Sequence, residues 1–244
     1  MPNLPQTYGL KFLKKVQEAD DVFSFYFERP SDFTFLPGQF LKLTLDIPQP
    51  DERGNSRFFS IASSPTEKDY LMITIRIDGS SFKKTLSSLP IETKLQISAP
   101  FGSFILKTEE KIPHIFLAGG IGITPFRSMI RFAADMNITI PITLFTSFRT
   151  PESFIFQKEL KEIESKHHWF KLAETVTQPE NSKLKWLGNT GRIDQNLIKK
   201  EAPDFSSSLF YIAGPPNMVD DLVELVKTLD IEGAKIRREK FTGY

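Results

Sequence analysis

The feature that most constrains this chain is a change of hydrophobic rhythm near residue 107. From Gly9 to about Lys107, apolar residues alternate within short runs such as Val22-Phe-Ser-Phe-Tyr-Phe27, Phe40-Leu-Lys-Leu-Thr-Leu45 and Tyr70-Leu-Met-Ile-Thr-Ile-Arg-Ile77. Turn residues at Pro37-Gly38, 51–55, Asp78-Gly79 and Pro100-Phe-Gly102 separate these runs. A period of two broken by such turns specifies an antiparallel barrel or sandwich of roughly six strands. Beyond Lys107 the strands become continuously apolar: His114-Ile-Phe-Leu-Ala118, Ile140-Pro-Ile-Thr-Leu-Phe-Thr146 and Ser208-Leu-Phe-Tyr-Ile-Ala213. Each leads to a helical stretch, predicted at Pro125 to Asp135, Glu152 to Ser165 and Pro216 to Leu229. Buried strands alternating with helices indicate a parallel sheet. The chain thus reads as two domains, an N-terminal six-stranded antiparallel β-barrel over 1–107 and a C-terminal α/β parallel-sheet domain over 108–244, joined near Lys107 to Lys111.

Composition removes several classes of function. With 31 Lys+Arg against 30 Asp+Glu the net charge is +1, so no global field draws in nucleic acid or an anionic membrane. Cysteine is absent, which excludes disulfides, thiolate zinc sites, cysteine nucleophiles and a cysteine-ligated iron–sulfur cluster within these residues. No run approaches the ~20 apolar residues of a membrane span. The start, Met1-Pro-Asn-Leu-Pro-Gln6, lacks a basic segment followed by an apolar one, so cytoplasmic residence is the expectation. The histidines, His114, His167 and His168, form no triad or metal-ligand set.

Ala118-Gly-Gly-Ile-Gly-Ile-Thr-Pro125 stands between a buried strand and a helix. Thr124 is placed to cap that helix and Pro125 suits its first turn. Gly119, Gly120 and Gly122 let backbone amides approach a pyrophosphate at the helix N-terminus; the competing reading is a tight turn without a ligand. Ala213-Gly-Pro-Pro-Asn-Met218 repeats the arrangement, with Gly214, Pro215, Pro216 and Met218 opening a helix after another buried strand. Ligands of open parallel sheets bind beyond the carboxyl ends of the strands, so both turns sit on one rim of what is then a nucleotide-binding domain. In the barrel half, Arg57-Phe58-Phe59-Ser60 puts Arg57 and Phe59 on one face of a strand and Ser60 on the other unless the strand bends. A guanidinium for a pyrophosphate, a ring for isoalloxazine and a hydroxyl beside its reactive nitrogen are what a flavin dinucleotide requires; in a chain with 23 Phe, the segment taken alone reads rather as a surface arginine beside core phenylalanines.

Taken in order, these motifs resemble those of the ferredoxin–NADP reductase superfamily of flavin oxidoreductases, over nearly the whole chain. Phe35-Leu-Pro-Gly-Gln-Phe40 resembles its early barrel turn, and Arg57 to Ser60 its Arg-x-Tyr-Ser flavin motif with Phe59 replacing tyrosine, which keeps the ring and loses the hydroxyl. Gly79-Ser-Ser-Phe-Lys-Lys-Thr-Leu86 resembles the segment that holds the FAD pyrophosphate, which assigns that role to Gly79, Ser81, Phe82 and Lys83. Pro100-Phe-Gly-Ser-Phe104 resembles the turn ending the flavin domain, and the two glycine turns resemble the nicotinamide-dinucleotide loops, with Ala213 where the family usually has cysteine. The C-terminus, Arg238-Glu-Lys-Phe-Thr-Gly-Tyr244, is similar to family tails with an acidic residue two positions before an aromatic one. That implies nicotinamide contact or proton relay by Glu239 and flavin cover by Phe241, with Tyr244 as an alternative flavin plate or an adenine partner.

The resemblance implies hydride transfer from NADPH or NADH to non-covalent FAD, then electron release to a protein such as ferredoxin, flavodoxin or an oxygenase component. Ser60, Glu239 and Phe241 are the residues nearest the chemistry in this reading. A free-flavin reductase or diaphorase, an electron-transfer subunit of a redox complex, and a module that kept the fold but lost the flavin are the alternatives. Arg149 in Thr146-Ser-Phe-Arg-Thr150 and Arg192 in Thr190-Gly-Arg-Ile193 fall where related reductases contact the adenosine 2′ end, and they favour NADPH. Gln178-Pro179, where NADP-selective relatives carry Ser-Arg, favours NADH. Oligomeric state is not readable from these motifs.

Overall fold

The computed structural model describes residues 4–77 and 79–242. The chain forms two compact units, the first comprising residues up to 106 together with 127–132, the second residues 107–126 and 133–242. In the first unit lie β1 (Gln6–Ala19), β2 (Val22–Glu28), β3 (Phe40–Thr44), β4 (Ser56–Ser60), β5 (Tyr70–Arg76), α1 (Ser81–Ser87) and β6 (Lys94–Phe101). Its strands form one antiparallel sheet in the order β4-β3-β6-β1-β2-β5. The two-residue period decides what points inward: Leu41 and Leu43 of β3 are buried, and Phe40, Lys42 and Thr44 between them are half-exposed. Phe12, Phe25, Phe27, Ile73 and Ile97 join that core, each buried side chain contributing about 1.5–3 kcal/mol. Past β4 the Ala62 N–H donates to the Met72 carbonyl of β5 at 2.8 Å, which bridges the two edge strands and closes the sheet into the barrel expected. The ring of Phe82 on α1 is fully buried in this core.

The second unit contains β7 (His114–Gly119), the two ends of α2 (Thr124–Asp135), whose residues 127–132 belong to the first unit, β8 (Ile142–Phe148), α3 (Gln157–Lys166), β9 (Phe170–Val176), β10 (Asn189–Thr190), α4 (Gln195–Glu201), β11 (Leu209–Gly214), α5 (Pro216–Lys227) and β12 (Ile236–Lys240). The strands are parallel in the order β10-β9-β8-β7-β11-β12. From β7 the chain moves outward one way through β8, β9 and β10, then returns to place β11 on the other side of β7. That reversal makes the carboxyl ends of β7 and β11 a topological switch point, where such sheets take ligands. Among the described residues, no helix is long and apolar enough to cross a membrane.

Three boundaries depart from the sequence reading. The strand expected from Ile140 begins at Ile142, after Pro141, which has no N–H to give the ladder. The helix expected from Glu152 begins at Gln157, because Phe156 adopts a left-handed φ of 60° and separates it from a 3₁₀ turn over Pro151–Ser153. The C-terminal segment carrying Glu239 is a sixth parallel strand; its Ile-Arg-Arg-Glu-Lys composition suits a charged sheet edge and conceals it from an apolar-period search.

Candidate cofactor sites

In the first unit, β4 pairs with β3 so that Phe59 faces Leu41 and Arg57 faces Leu43. Arg57 and Phe59 therefore share the inward side, beside α1. The Arg57 guanidinium carbon lies 5.2 Å from the Phe82 ring centroid, and the Phe59 and Phe82 rings are 5.9 Å apart. Arg57 Nη1 donates to the carbonyls of Arg53, Gly54 and Ser56, and Nη2 donates to Asp51 Oδ1 at 2.7 Å. Of the five guanidinium N–H groups, Nε–H and one on Nη2 remain for a ligand. The Asp51 N–H donates to Ser81 Oγ at 3.0 Å, so one loop residue ties Arg57 to the start of α1. Partial burial opposes ionisation of Asp51, but hydrogen bonds from Arg53 N–H, Ser81 and Arg57 outweigh it and hold the carboxyl below the usual range.

Ser60 is buried, and its hydroxyl has no hydrogen-bond partner among the described residues. Phe58 does not join this group: it is 60% exposed and packs edge-on against Phe40 and Phe101 at 5.6 and 5.7 Å. At α1 the cap is Ser80, whose hydroxyl accepts the Lys83 N–H. The Phe82 ring belongs to the core and the Lys83 side chain is buried, so of the residues assigned in this segment only Gly79 and Ser81 are accessible.

In the second unit the two glycine turns meet. A Cβ on Gly122 would stand 2.2 Å from the Ala213 carbonyl oxygen, one on Gly119 2.0 Å from Met218 Sδ, and one on Gly214 3.3 Å from Gly119 main chain. Gly122 is thus required by the packing of one turn on the other, because main chain blocks it; at Gly119 the obstacle is the flexible end of Met218, and at Gly214 the approach is close without being closed. Gly120, with φ 51° and nothing within 4 Å of a Cβ, is the glycine open to a ligand. Thr124 is not the cap expected: it has helical φ/ψ, and its hydroxyl donates to the Ile121 carbonyl at 3.0 Å. Pro125, Pro215 and Pro216 occupy the helix starts assigned to them.

Four residues at one register level cross adjacent strands here: Thr146 on β8, Ala118 on β7, Ala213 on β11 and Glu239 on β12. In a parallel ladder they face the same side. Two buried alanines stand between two polar side chains, and Thr146 Oγ1 and Glu239 Oε2 are buried without a partner. An unpaired buried polar atom costs about 1–3 kcal/mol, which fits a planar ligand with polar edges. Burial pushes the Glu239 carboxyl up to about 7. Phe241, two residues on, donates its N–H to the Gly214 carbonyl at 2.9 Å, which fixes the tail beside the second turn.

Arg149, Gln178 and Arg192 follow β8, β9 and β10 on the same rim, with the Gln178 N–H on the Arg149 carbonyl. Both arginines are exposed, and Arg192 meets Asp221 at 3.5 Å through a side chain 86% exposed. Tyr244 lies outside the described residues. His114 is buried with its ring nitrogens 2.9 and 3.1 Å from the Ile112 and Lys107 carbonyls, a structural placement. Sequence reasoning missed Asp51, Thr146 and the buried pair of Glu67 with Arg127. The available signal for the last was a charge at 127 on the apolar face of α2, between Phe126, Met129 and Ile130.

Residues 9–105 match the oxidoreductase FAD-binding domain and residues 116–224 the oxidoreductase NAD-binding domain. The chain is 28% identical over 238 residues to the glycine betaine monooxygenase reductase subunit of Chromohalobacter salexigens, covering 96% of this chain and 64% of that protein. It thus spans less than two thirds of the length of the curated relatives it matches. In fold it is similar to the Amycolatopsis cytochrome P450 reductase GcoB, with a TM-score of 0.83 at 19% identity over 98% of this chain and 71% of that one. A ferredoxin NADP+ reductase from Neisseria gonorrhoeae, solved with bound FAD and NADP, gives a TM-score of 0.77 at 19% identity over 96% and 98%.

The raised Glu239 pKa carries a sign for stability. In the folded chain the carboxyl keeps its proton to about pH 7, whereas unfolded it ionises near 4.5. Between those values the unfolded state binds fewer protons, so this group lowers stability as pH rises through the window, and its effect levels off above it. Urea unfolding at pH 5 and pH 8 should show Glu239→Gln losing about 1–3 kcal/mol less across that interval than the parent chain. Equal losses in the two proteins would place Glu239 in water.

Proposed function

This chain belongs to the ferredoxin–NADP reductase superfamily of flavin oxidoreductases, and on that premise we propose that it passes hydride from NADPH or NADH to a non-covalent FAD and electrons onward to a redox protein. The observation that carries this reading is the presence in one chain of both domain types, each with polar groups left open to a ligand. In this reading residues 1–107 hold FAD and residues 108–244 hold the nicotinamide dinucleotide. An oxygenase component is the first candidate acceptor, because the relative from Chromohalobacter salexigens is a monooxygenase reductase subunit. We place the reaction in the cytoplasm.

Bound FAD supplies the conversion of a two-electron donor into one- or two-electron release. The chain's part is to bind, orient and shield. The free Nε–H and Nη2–H of Arg57, with the Ser81 hydroxyl and Gly79 main chain, hold the pyrophosphate, while Asp51 keeps the guanidinium from turning away. Phe59 gives isoalloxazine a ring to lie on, and the unpartnered Ser60 hydroxyl bonds to its reactive edge. In the second unit Gly120 and the start of α2 take the dinucleotide phosphates. Met218 walls the turn, Thr146 and Glu239 meet the polar edges of nicotinamide, and Phe241 is the ring that nicotinamide displaces. Arg149 and Arg192, both exposed on the adenosine side of the rim, favour the 2′-phosphate of NADPH.

Two measurements test these assignments. Arg57→Ala should bind FAD about 10- to 100-fold more weakly, the loss of a charge-assisted contact, and should shed flavin on purification. Full occupancy and unchanged affinity would remove Arg57 from the site. For the nucleotide, Arg192→Ala should lower kcat/KM with NADPH roughly tenfold and leave NADH unaffected. A parent enzyme that prefers NADH, with no response to Arg192→Ala, would reverse the nucleotide assignment.

A further inference from the structure

The segment directly after the flavin motif is held by an ion pair that the proposed chemistry has not used. Arg127 on α2, 6% exposed, makes two parallel bonds to Glu67, Nη1 to Oε2 at 2.8 Å and Nη2 to Oε1 at 3.0 Å. Residues 127–132 belong to the first compact unit, so this contact is internal to it. Arg127 Nη1 also donates to the Ala62 carbonyl at 2.8 Å. The neighbouring Ser128 hydroxyl donates to the Ser63 carbonyl at 2.7 Å, and Glu67 Oε2 accepts the Ser64 N–H at 2.6 Å. Ser63 Oγ in turn accepts the Met72 N–H at 3.0 Å, and the Tyr70 hydroxyl donates to Glu67 Oε1 at 2.5 Å.

Three consecutive residues, Ala62, Ser63 and Ser64, are thereby fixed by three side chains from elsewhere in the chain. They begin two residues after Ser60, whose hydroxyl has no partner of its own. Burying two charges costs several kcal/mol per ion, and a well-packed apolar pair is often as stable, so stability alone is a weak reason for this cluster. Burial opposes ionisation of Glu67, but Arg127, Tyr70 and Ser64 outweigh it and hold the carboxyl below the usual range, which keeps the pair charged. What the cluster provides is direction: a guanidinium locked by its fork on Glu67 fixes the Ala62 carbonyl, two residues after Ser60 at the end of β4, far more tightly than dispersion contacts do.

Resting on the flavin reading above, we infer that Arg127 and Glu67 are positioning residues for Ser60, and that they set the geometry of its hydrogen bond to the flavin without touching the cofactor. Because they act through Ser60, the effect is separable from a general loss of stability. In the full chain loaded with FAD, Arg127→Met should keep FAD within about threefold of parent affinity. Its hydride transfer in a single turnover should slow about tenfold, with altered fine structure in the flavin absorption band. Arg127→Lys, which keeps the charge and loses the fork, should recover part of that rate.

The decisive measurement is a double-mutant cycle with Ser60→Ala, read on both the single-turnover rate and the flavin spectrum. If Arg127 acts through Ser60, Arg127→Met has little further effect once the hydroxyl is gone. Additive losses, or losses that only follow the melting temperature of the cofactor-free protein, overturn the inference. Should Arg127→Met not fold, Glu67→Gln carries the same cycle, since it keeps the shape and removes the ion pair. A parent chain that binds no FAD overturns the functional reading and this inference together. A parent that is reduced normally, with an additive cycle, overturns this inference alone.

Discussion

The second unit depends on a contact with no room for a side chain. The Ala213 carbonyl oxygen would lie 2.2 Å from a Cβ on Gly122, and Gly119 main chain 3.3 Å from one on Gly214. Because β7 and β11 are neighbours in register, their outgoing turns must cross at the rim, and only glycine permits it. The crossing brings the starts of α2 and α5 to the switch point, beside the row from Thr146 to Glu239. In this chain Gly122 is first of all what lets the two turns pack.

The first unit solves a different problem, that of holding a long cation in one place. Arg57 is fastened to its own hairpin by three carbonyls and the Asp51 carboxylate. Such fastening removes most of the side-chain entropy before any ligand arrives, about 2 kcal/mol for a free arginine. It also turns the unused edge of the guanidinium into a fixed fork. In the FAD site proposed above, the carboxylate of Asp51 would be tolerated near a phosphate because both share the guanidinium.

Much of this was legible in the sequence where the signal is periodic or local. The alternation of Leu41 and Leu43 with Phe40, Lys42 and Thr44 marks the barrel, and the apolar runs at 114–118 and 208–213 mark the parallel sheet. What was hidden needed long-range geometry. Arg127 and Glu67 are sixty residues apart, and nothing local says that they meet. The glycines of the first turn read as phosphate-facing, and nothing local says that Gly122 also has to admit the Ala213 carbonyl of the second turn. Phe58 and Phe59 are indistinguishable by composition, and only the register of β4 on β3 separates the ring beside α1 from the ring turned towards solvent. The helix start at 157 depends on one left-handed residue, Phe156, which no propensity favours.

The central claim is that one chain carries out both halves of a hydride relay. It is tested most directly by loading the protein with FAD, removing oxygen, adding one equivalent of NADPH or NADH, and following the flavin absorbance in a stopped-flow instrument. The account predicts bleaching of the oxidised flavin band within a single turnover, before any acceptor is added. Protein that holds FAD and stays oxidised with both nucleotides, although an external reductant bleaches it, would contradict the account.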